Sequence, residues 1–140
     1  MRAVLLFLFF CATSCGVRDE SFYLRRGNEI QGQLIAELEG VQTLHDLFGR
    51  QEAFSSLFDE LAKVAIEARR YQIRAHVSWE VPSDCAERSR ELEREMQRVL
   101  QIPGARAFIE KCQGRGFERI DAFEKGQGLR AGHLCSSGMR

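Results

Sequence analysis

Residues 28–48 read NEIQGQLIAELEGVQTLHDLF, and the apolar side chains in this stretch recur every three or four positions. That spacing is typical of one buried face of an α-helix. The helix is expected to begin in a capping box formed by Asn28 and Gln31, and to end at Gly49. An extension backward through residues 19–26 stays open. The members of the apolar stripe are Ile30, Leu34, Leu38, Val41, Leu44 and Phe48.

Residues 51–75 carry a second apolar stripe of the same period and predict a second helix. Because a short link containing Gly49 separates the two helices, an antiparallel hairpin is expected. Its closed end would bring Phe48, Phe54 and Phe58 together. The members of the second stripe are Phe54, Leu57, Phe58, Leu61, Val64, Ala65, Ala68 and Tyr71.

Residues 76–82 read HVSWEVP and alternate apolar with polar positions, as a short strand does. No partner strand is evident in the sequence, and a lone strand cannot satisfy its backbone groups. An extended loop is therefore expected, with Trp79 inserted into the core. A third helix is expected from about Asp84 to the Pro103-Gly104 break, with a thin apolar stripe and a broad charged face.

A fourth helix is expected from about Ala105, with Gly114 and Gly116 as hinges within it. The stretch 126–140 is rich in glycine and poor in apolar residues, which predicts a flexible tail. The predicted fold class is all-α: a small antiparallel helical bundle of three to four helices over residues 28–125. A chain of 140 residues allows one such domain.

The first fifteen residues, MRAVLLFLFFCATSC, have the layout of an export signal. Arg2 precedes an unbroken apolar run from Ala3 to Ala12, and small polar residues follow. A helical run of about ten residues covers only about half of the ~30 Å hydrocarbon core, so a permanent transmembrane anchor is not expected. Residues 1–14 are therefore predicted to be a cleaved signal peptide.

The end of this segment, Ala12-Thr13-Ser14-Cys15, resembles the lipobox of bacterial lipoproteins. In that family, a cysteine after small residues is linked to diacylglycerol and becomes the mature N-terminus. The resemblance implies cleavage between Ser14 and Cys15, lipidation of Cys15, and a tether over residues 15–27. It places the protein in the bacterial cell envelope, and Gly16 after the cysteine favours the outer membrane over the inner. An ordinary secretory site would cut the same bond, so plain secretion stays open.

Three cysteines remain if Cys15 carries lipid: Cys85, Cys112 and Cys135. An exported protein meets an oxidising compartment, where these thiols allow three alternative single disulfides. A bond between Cys85 and Cys112 would tie the third helix to the fourth and is the preferred pairing. Cys135 is then a free or intermolecular thiol, and the alternative is that all three stay reduced.

The sequence contains no recognisable catalytic, metal-binding or cofactor-binding motif. It lacks the H-E-x-x-H, G-x-S-x-G, phosphate-loop and dinucleotide patterns, and no C-x₂-C follows the signal. Its 20 basic and 20 acidic residues balance, which argues against a nucleic-acid partner. No catalytic residue, metal ligand or cofactor is expected, and a non-enzymatic binding or structural module of the envelope is predicted. Its partners would be the membrane, through the lipid, and an envelope protein.

Two alternatives remain. The chain resembles the pilotins, small helical lipoproteins that support the rings of secretion machines, in size, anchoring and expected disulfide use. That resemblance implies a groove that holds a partner's amphipathic helix, and a binding module predicts an apolar groove between the second and third helices. A small envelope enzyme would instead need a deep pocket with converging polar groups.

Overall fold

The computed structural model describes the backbone of residues 18–136 and the side chains of residues 20–127. Within this range the chain is helical and contains no strand, so the all-α class is confirmed. The predicted signal segment, its cleavage site at Ser14 and the lipidation site at Cys15 lie outside the described residues. The described helices are α1 (Arg18–Glu39), α2 (Leu44–Gly49), α3 (Gln51–Ala75), α4 (Ser83–Leu100) and α5 (Ala105–Ser136).

Helices α1 and α3 form an antiparallel pair at the centre of the fold, and α2 lies in the turn between them. Arg26 of α1 pairs with Glu60 of α3 at 2.6 Å. Glu37, three turns further along α1, pairs with Arg50 at the N-cap of α3, also at 2.6 Å. The order of these partners is reversed between the two helices, as the predicted hairpin requires.

The outer helices pack on central helices that do not directly precede them in the chain. Helix α4 follows α3 but packs on α1, and α5 follows α4 but packs on α3. Ser89 and then Arg98 of α4 contact Gln31 and then Leu38 of α1, so these two helices run in parallel. Helix α5 runs parallel to α3 in the same way. The spatial order is therefore α4, α1, α3, α5.

One apolar core joins all five described helices. The predicted stripe of α1 is buried at Ile30, Leu34, Leu38 and Val41. Each fully buried Leu, Ile, Val or Phe side chain contributes about 1.5–3 kcal/mol relative to an exposed one. The other buried members of this core are Ile35, Leu47, Phe54, Phe58, Leu61, Leu92, Met96, Val99, Ala105, Phe108, Ile109 and Cys112.

The first helix begins earlier than the sequence predicted. Helix α1 begins at Arg18, so Asn28 and Gln31 lie inside it and do not form a capping box. Gly27 does not interrupt the helix, and it is buried. Part of the stretch expected to be a tether therefore belongs to the helical domain.

The predicted single helix over residues 28–48 is wrong at its second half, because the chain breaks after Glu39. A new helix, α2, begins with Thr43 as its N-cap, and Thr43 forms a capping box with Asp46. The Thr43 N–H donates to the Asp46 carboxylate at 2.8 Å, and the Asp46 N–H donates to the Thr43 hydroxyl at 3.3 Å. Backbone donors of Gln42 and Thr43 hold the pKa of Asp46 below its ordinary value.

The predicted cluster of three phenylalanines does not form. Phe54 and Phe58 stack with their ring centroids 6.3 Å apart, but Phe48 packs edge-on against Phe108 of α5 at 5.3 Å. Phe48 belongs to the short α2, which turns its ring away from α3. It remains 57% exposed.

Helix α5 continues through both glycines that the sequence suggested as hinges. A Cβ at Gly116 would lie 3.1 Å from the Phe58 carbonyl oxygen and 3.3 Å from Ala62 Cβ. Glycine therefore permits a close approach of α5 to α3 at this position, and Gly114 has no such neighbour. The backbone stays helical to Ser136, whereas the flexibility expected from residue 126 onward stays a prediction.

Candidate functional site

Aromatic side chains gather where α1 begins and α3 ends, and we call Phe22, Tyr23, Tyr71 and Trp79 the aromatic end. Tyr23 stacks on Trp79 with centroids 6.0 Å apart and an interplanar angle of 16°. The ring centroids of Tyr71 and Trp79 lie 5.9 Å apart, and Phe22 meets Tyr23 edge-on with ring centroids 5.5 Å apart. Such pairs contribute about 0.5–1.5 kcal/mol beyond the area they bury. The cluster joins α1, α3 and the link to α4.

The connection over residues 76–82 positions Trp79. His76 takes a left-handed conformation with φ of 52° and ends α3, and its N–H donates to the Gln72 carbonyl. The chain then continues without regular structure until α4 begins at Ser83. Trp79 is only 4% exposed. The predicted extended loop with a buried tryptophan is therefore confirmed, although Trp79 packs at this end rather than in the main core.

The Trp79 indole N–H is buried and has no hydrogen-bond partner among the described residues. A buried donor without an acceptor costs about 1–3 kcal/mol. The packing of Trp79 between the Tyr23 and Tyr71 rings offsets this cost. Ring contacts therefore carry the packing of Trp79 at the aromatic end.

The surface around the aromatic end is apolar and basic. Among the described side chains, the large exposed apolar ones are Phe22 (50%), Ile73 (40%) and Phe48, and the first two lie at this end. The end of α3 and the start of the link that follows it, residues 68–79, contain three arginines and no carboxylate. Arg25, Arg69, Arg70 and Arg74 are exposed.

Two arginines near this end hold the fold together. Arg26 contacts Glu60 of α3, and its other nitrogen lies 3.3 Å from Glu29. Arg70 of α3 lies over the Phe123 ring of α5 at 5.5 Å, a cation–π contact. These two arginines therefore stabilise the fold. The arginines near the end of α3 also stabilise that helix, because cations interact favourably with a helix C-terminus.

The predicted disulfide between Cys85 and Cys112 is not present, and both thiols are free. Cys85 lies in the first turn of α4, about 22 Å along the axis from Leu100, whereas Cys112 lies about 10 Å along α5 from Ala105. The offset of about 12 Å exceeds the ~7 Å that Cα atoms of a disulfide allow. Cys112 instead lies 3.9 Å from the Gln51 carbonyl oxygen of α3. Cys135 falls where side chains are not described.

Burial keeps both described thiols protonated. Desolvation raises the pKa of Cys112, and it raises the pKa of Cys85 together with the nearby charge of Asp84. Nucleophilic cysteine chemistry needs a thiolate, which a lowered pKa provides. Neither environment provides it.

Asp59 is the buried charge of the described core. It is 6% exposed and lies between Lys63 of its own helix, at 2.8 Å, and Arg119 of α5. The hydrogen bonds from Lys63 and then Arg119 hold the pKa of Asp59 below its ordinary value, against burial, which raises it. This carboxylate joins α3 to α5 and faces ion-pair partners on both sides, so its arrangement is that of a structural group.

The described residues contain no group of three or more His, Cys, Asp or Glu side chains arranged to hold a metal ion. Of the helices in the described range, none combines the length and the apolar character needed to cross a membrane. Helices α3 and α4, the second and third predicted helices, each pack on α1 and not side by side, and the apolar groove expected between them stays a prediction.

Comparison with protein-family models, with curated proteins and with solved structures gives no match to this chain. Sequence reasoning missed the aromatic end, although Phe22-Tyr23, Tyr71 and Trp79 were visible as aromatics on three separate segments. Only the antiparallel course of α1 and α3 brings these segments to one place.

Proposed function

We propose that this chain is an exported lipoprotein, anchored to a membrane of the bacterial cell envelope through lipid on Cys15. The proposal rests on one observation: Cys15 follows an export-type apolar segment and stands three residues before the helical domain begins at Arg18. Fatty acyl chains hold a protein on a bilayer because each buried methylene contributes about 0.8 kcal/mol. A spanning helix is then unnecessary.

The helical domain is proposed to act by binding or as a structural module, without catalysis. The environments of the described carboxylate and thiol side chains that could react support this role. Asp59 is ion-paired on both sides, and burial raises the pKa of Cys85 and Cys112. Its partner is proposed to be another envelope protein, which cross-linking of the anchored chain in its own membrane would identify. Recovery of the chain without any cross-linked protein would contradict the binding role.

Lipidation is tested with Cys15→Ser, and Cys11→Ser serves as the matched control within the same segment. Cells are fed an alkyne-tagged fatty acid and then fractionated. The unchanged chain and Cys11→Ser should take up the label and stay with membranes through a high-salt wash, whereas Cys15→Ser should be unlabelled and should be released by that wash. A Cys15→Ser chain that still takes up the label would overturn the proposal. An unlabelled wild-type chain that begins at Cys15 would establish plain secretion instead.

A further inference from the structure

We propose that the aromatic end lies flat against the bilayer that carries the anchor, with its exposed arginines on anionic lipid head groups. This inference rests on the proposed lipidation for its geometry. Two residues, Gly16 and Val17, lie between Cys15 and Arg18, and each of the three steps from Cys15 to Arg18 covers at most about 3.6 Å in an extended chain. The start of α1 would therefore lie within about 11 Å of the lipidated cysteine.

The position of the exposed apolar side chains favours a lipid surface at this end. Phe22 and Ile73 are 50% and 40% exposed, and Phe22 lies edge-on against Tyr23, which stacks on Trp79. Aromatic rings concentrate at the boundary between head groups and acyl chains, where one side of the ring is apolar and the other is wet. Bilayer contact would cover these side chains, which the protein itself leaves in water.

The charge of this end complements an anionic membrane. Arg69, Arg70 and Arg74 are exposed on the last turns of α3, where residues 68–79 contain no carboxylate, and Arg25 is exposed on α1. Each arginine near an anionic lipid surface strengthens binding about fivefold, and the effect falls off within a Debye length. A short tether holds the arginines inside that distance. A long tether would leave the domain free in solution.

The test uses the processed chain, residues 15–140, with Cys15→Ser, so that binding through the lipid is absent. Co-sedimentation is measured at low salt with vesicles of phosphatidylcholine alone and of equimolar phosphatidylcholine and phosphatidylglycerol. Circular dichroism first establishes that each variant keeps its helical fold. The chain should bind the anionic vesicles, bind the neutral vesicles weakly, and dissociate as salt is raised.

Paired variants locate the binding surface. Arg69→Gln with Arg74→Gln should weaken binding to anionic vesicles by about tenfold or more, whereas Arg94→Gln with Arg106→Gln removes the same charge elsewhere and should change it little. Phe22→Ser should also weaken binding. Phe48→Ser is its control, because Phe48 is equally exposed at the opposite end of the bundle.

The inference is overturned if the Cys15→Ser chain fails to bind anionic vesicles, or if the control variants weaken binding as much as the test variants. A photo-cross-linker at position 22 that captures a protein in intact membranes, and no lipid, would also overturn it in favour of a protein partner. Fatty-acid labelling of the wild-type chain reports on the anchor separately. Failure of the anchor and failure of the bilayer contact therefore give different results.

Discussion

Arg98 of α4 donates a hydrogen bond to the carbonyl oxygen of Leu38, at the end of α1, with a distance of 2.7 Å. Its second terminal nitrogen donates to the Val41 carbonyl at 2.8 Å. The last carbonyls of a helix lack partners within the helix and carry the negative end of its dipole. Glu95 accepts from Arg98 Nε at 2.9 Å and orients the guanidinium. One side chain of α4 thus caps α1 and fixes the register between the two helices.

Replacement of Arg98 by alanine should lower the free energy of unfolding by about 1–2 kcal/mol, because two carbonyls lose a charged donor. Arg98→Lys should recover only part of this, since an ammonium cannot reproduce the planar fork of the guanidinium. Urea unfolding followed by circular dichroism measures the free energy of unfolding of both variants. Arg94→Ala, an exposed change on the same helix, should stay within about 0.5 kcal/mol of wild type. Equal losses of stability in Arg94→Ala and Arg98→Ala would contradict the capping role of Arg98.

Gly116→Ala should destabilise the protein by about 1–3 kcal/mol, because the new methyl group overpacks the contact between α5 and α3. The Phe58 carbonyl oxygen that it would meet belongs to the α3 backbone and cannot rotate away. Gly114→Ala provides the control, since a Cβ there has nothing within 4 Å.

Gly116→Ala and Gly114→Ala should change the free energy of unfolding in opposite directions. At Gly114 the exchange should stabilise the helix by about 0.5–1 kcal/mol, the difference in helix propensity between glycine and alanine. Thermal and urea unfolding of both variants measures the difference. If Gly116→Ala stabilises the protein as Gly114→Ala does, the close approach of α5 to α3 at this position is wrong.

Asp59→Asn should lower stability at neutral pH by about 1–2 kcal/mol, since it removes a charged acceptor from two cations. The loss stays below that of a fully buried pair, because solvent screens the half-exposed Lys63 and Arg119. The pKa of Asp59 is lower in the folded state than in the unfolded chain, where it is near 3.9. Its contribution is therefore present above about pH 4 and is lost as the pH falls through the lower folded-state value.

The difference in the free energy of unfolding between wild type and Asp59→Asn should begin to narrow below about pH 4 and should disappear only below the lowered folded-state pKa, where the Asp59 carboxyl group is neutral like the Asn amide. Urea unfolding at neutral and acidic pH measures it. Asp121→Asn, an exposed change on α5, should follow the wild-type curve. A gap that keeps its full size in acid would show that the Asp59 carboxylate is not what Lys63 and Arg119 stabilise. Asp46 also has a lowered pKa, so some acid sensitivity remains in every variant.

Local periodicity predicted much of the helical structure. The bounds of α3, Gln51–Ala75, are those that its apolar stripe indicated, and α4 ends before Pro103 as expected. The break after Glu39 was missed because Val41 and Leu44 continue the helical period across it. The capping box of Thr43 and Asp46, which begins α2, was not predicted.

The pairing of helices could not be predicted in this way. A stripe indicates which face is buried and says nothing about which helix covers it. That α4 packs on α1 depends on contacts distant in sequence, such as Arg98 with Leu38 and Ser89 with Gln31. The glycines of α5 illustrate the same limit, because Gly116 is explained only by the backbone that approaches it.

The reactivity of the two described thiols should follow their burial. Cys112 is 2% exposed, whereas Cys85 is half-buried, and burial raises the pKa of both. Iodoacetamide, which needs the thiolate, should modify Cys112 at least about tenfold more slowly than Cys85 in the folded protein, since Cys112 must wait for local opening. Mass spectrometry of the alkylated peptides measures the rates.

In concentrated urea the alkylation rates of Cys85 and Cys112 should converge, which controls for the effect of local sequence. A Cys112 that reacts as fast as Cys85 in the folded state would contradict its place between α5 and α3, and a Cys85–Cys112 peptide under non-reducing conditions would contradict the separation of the two thiols.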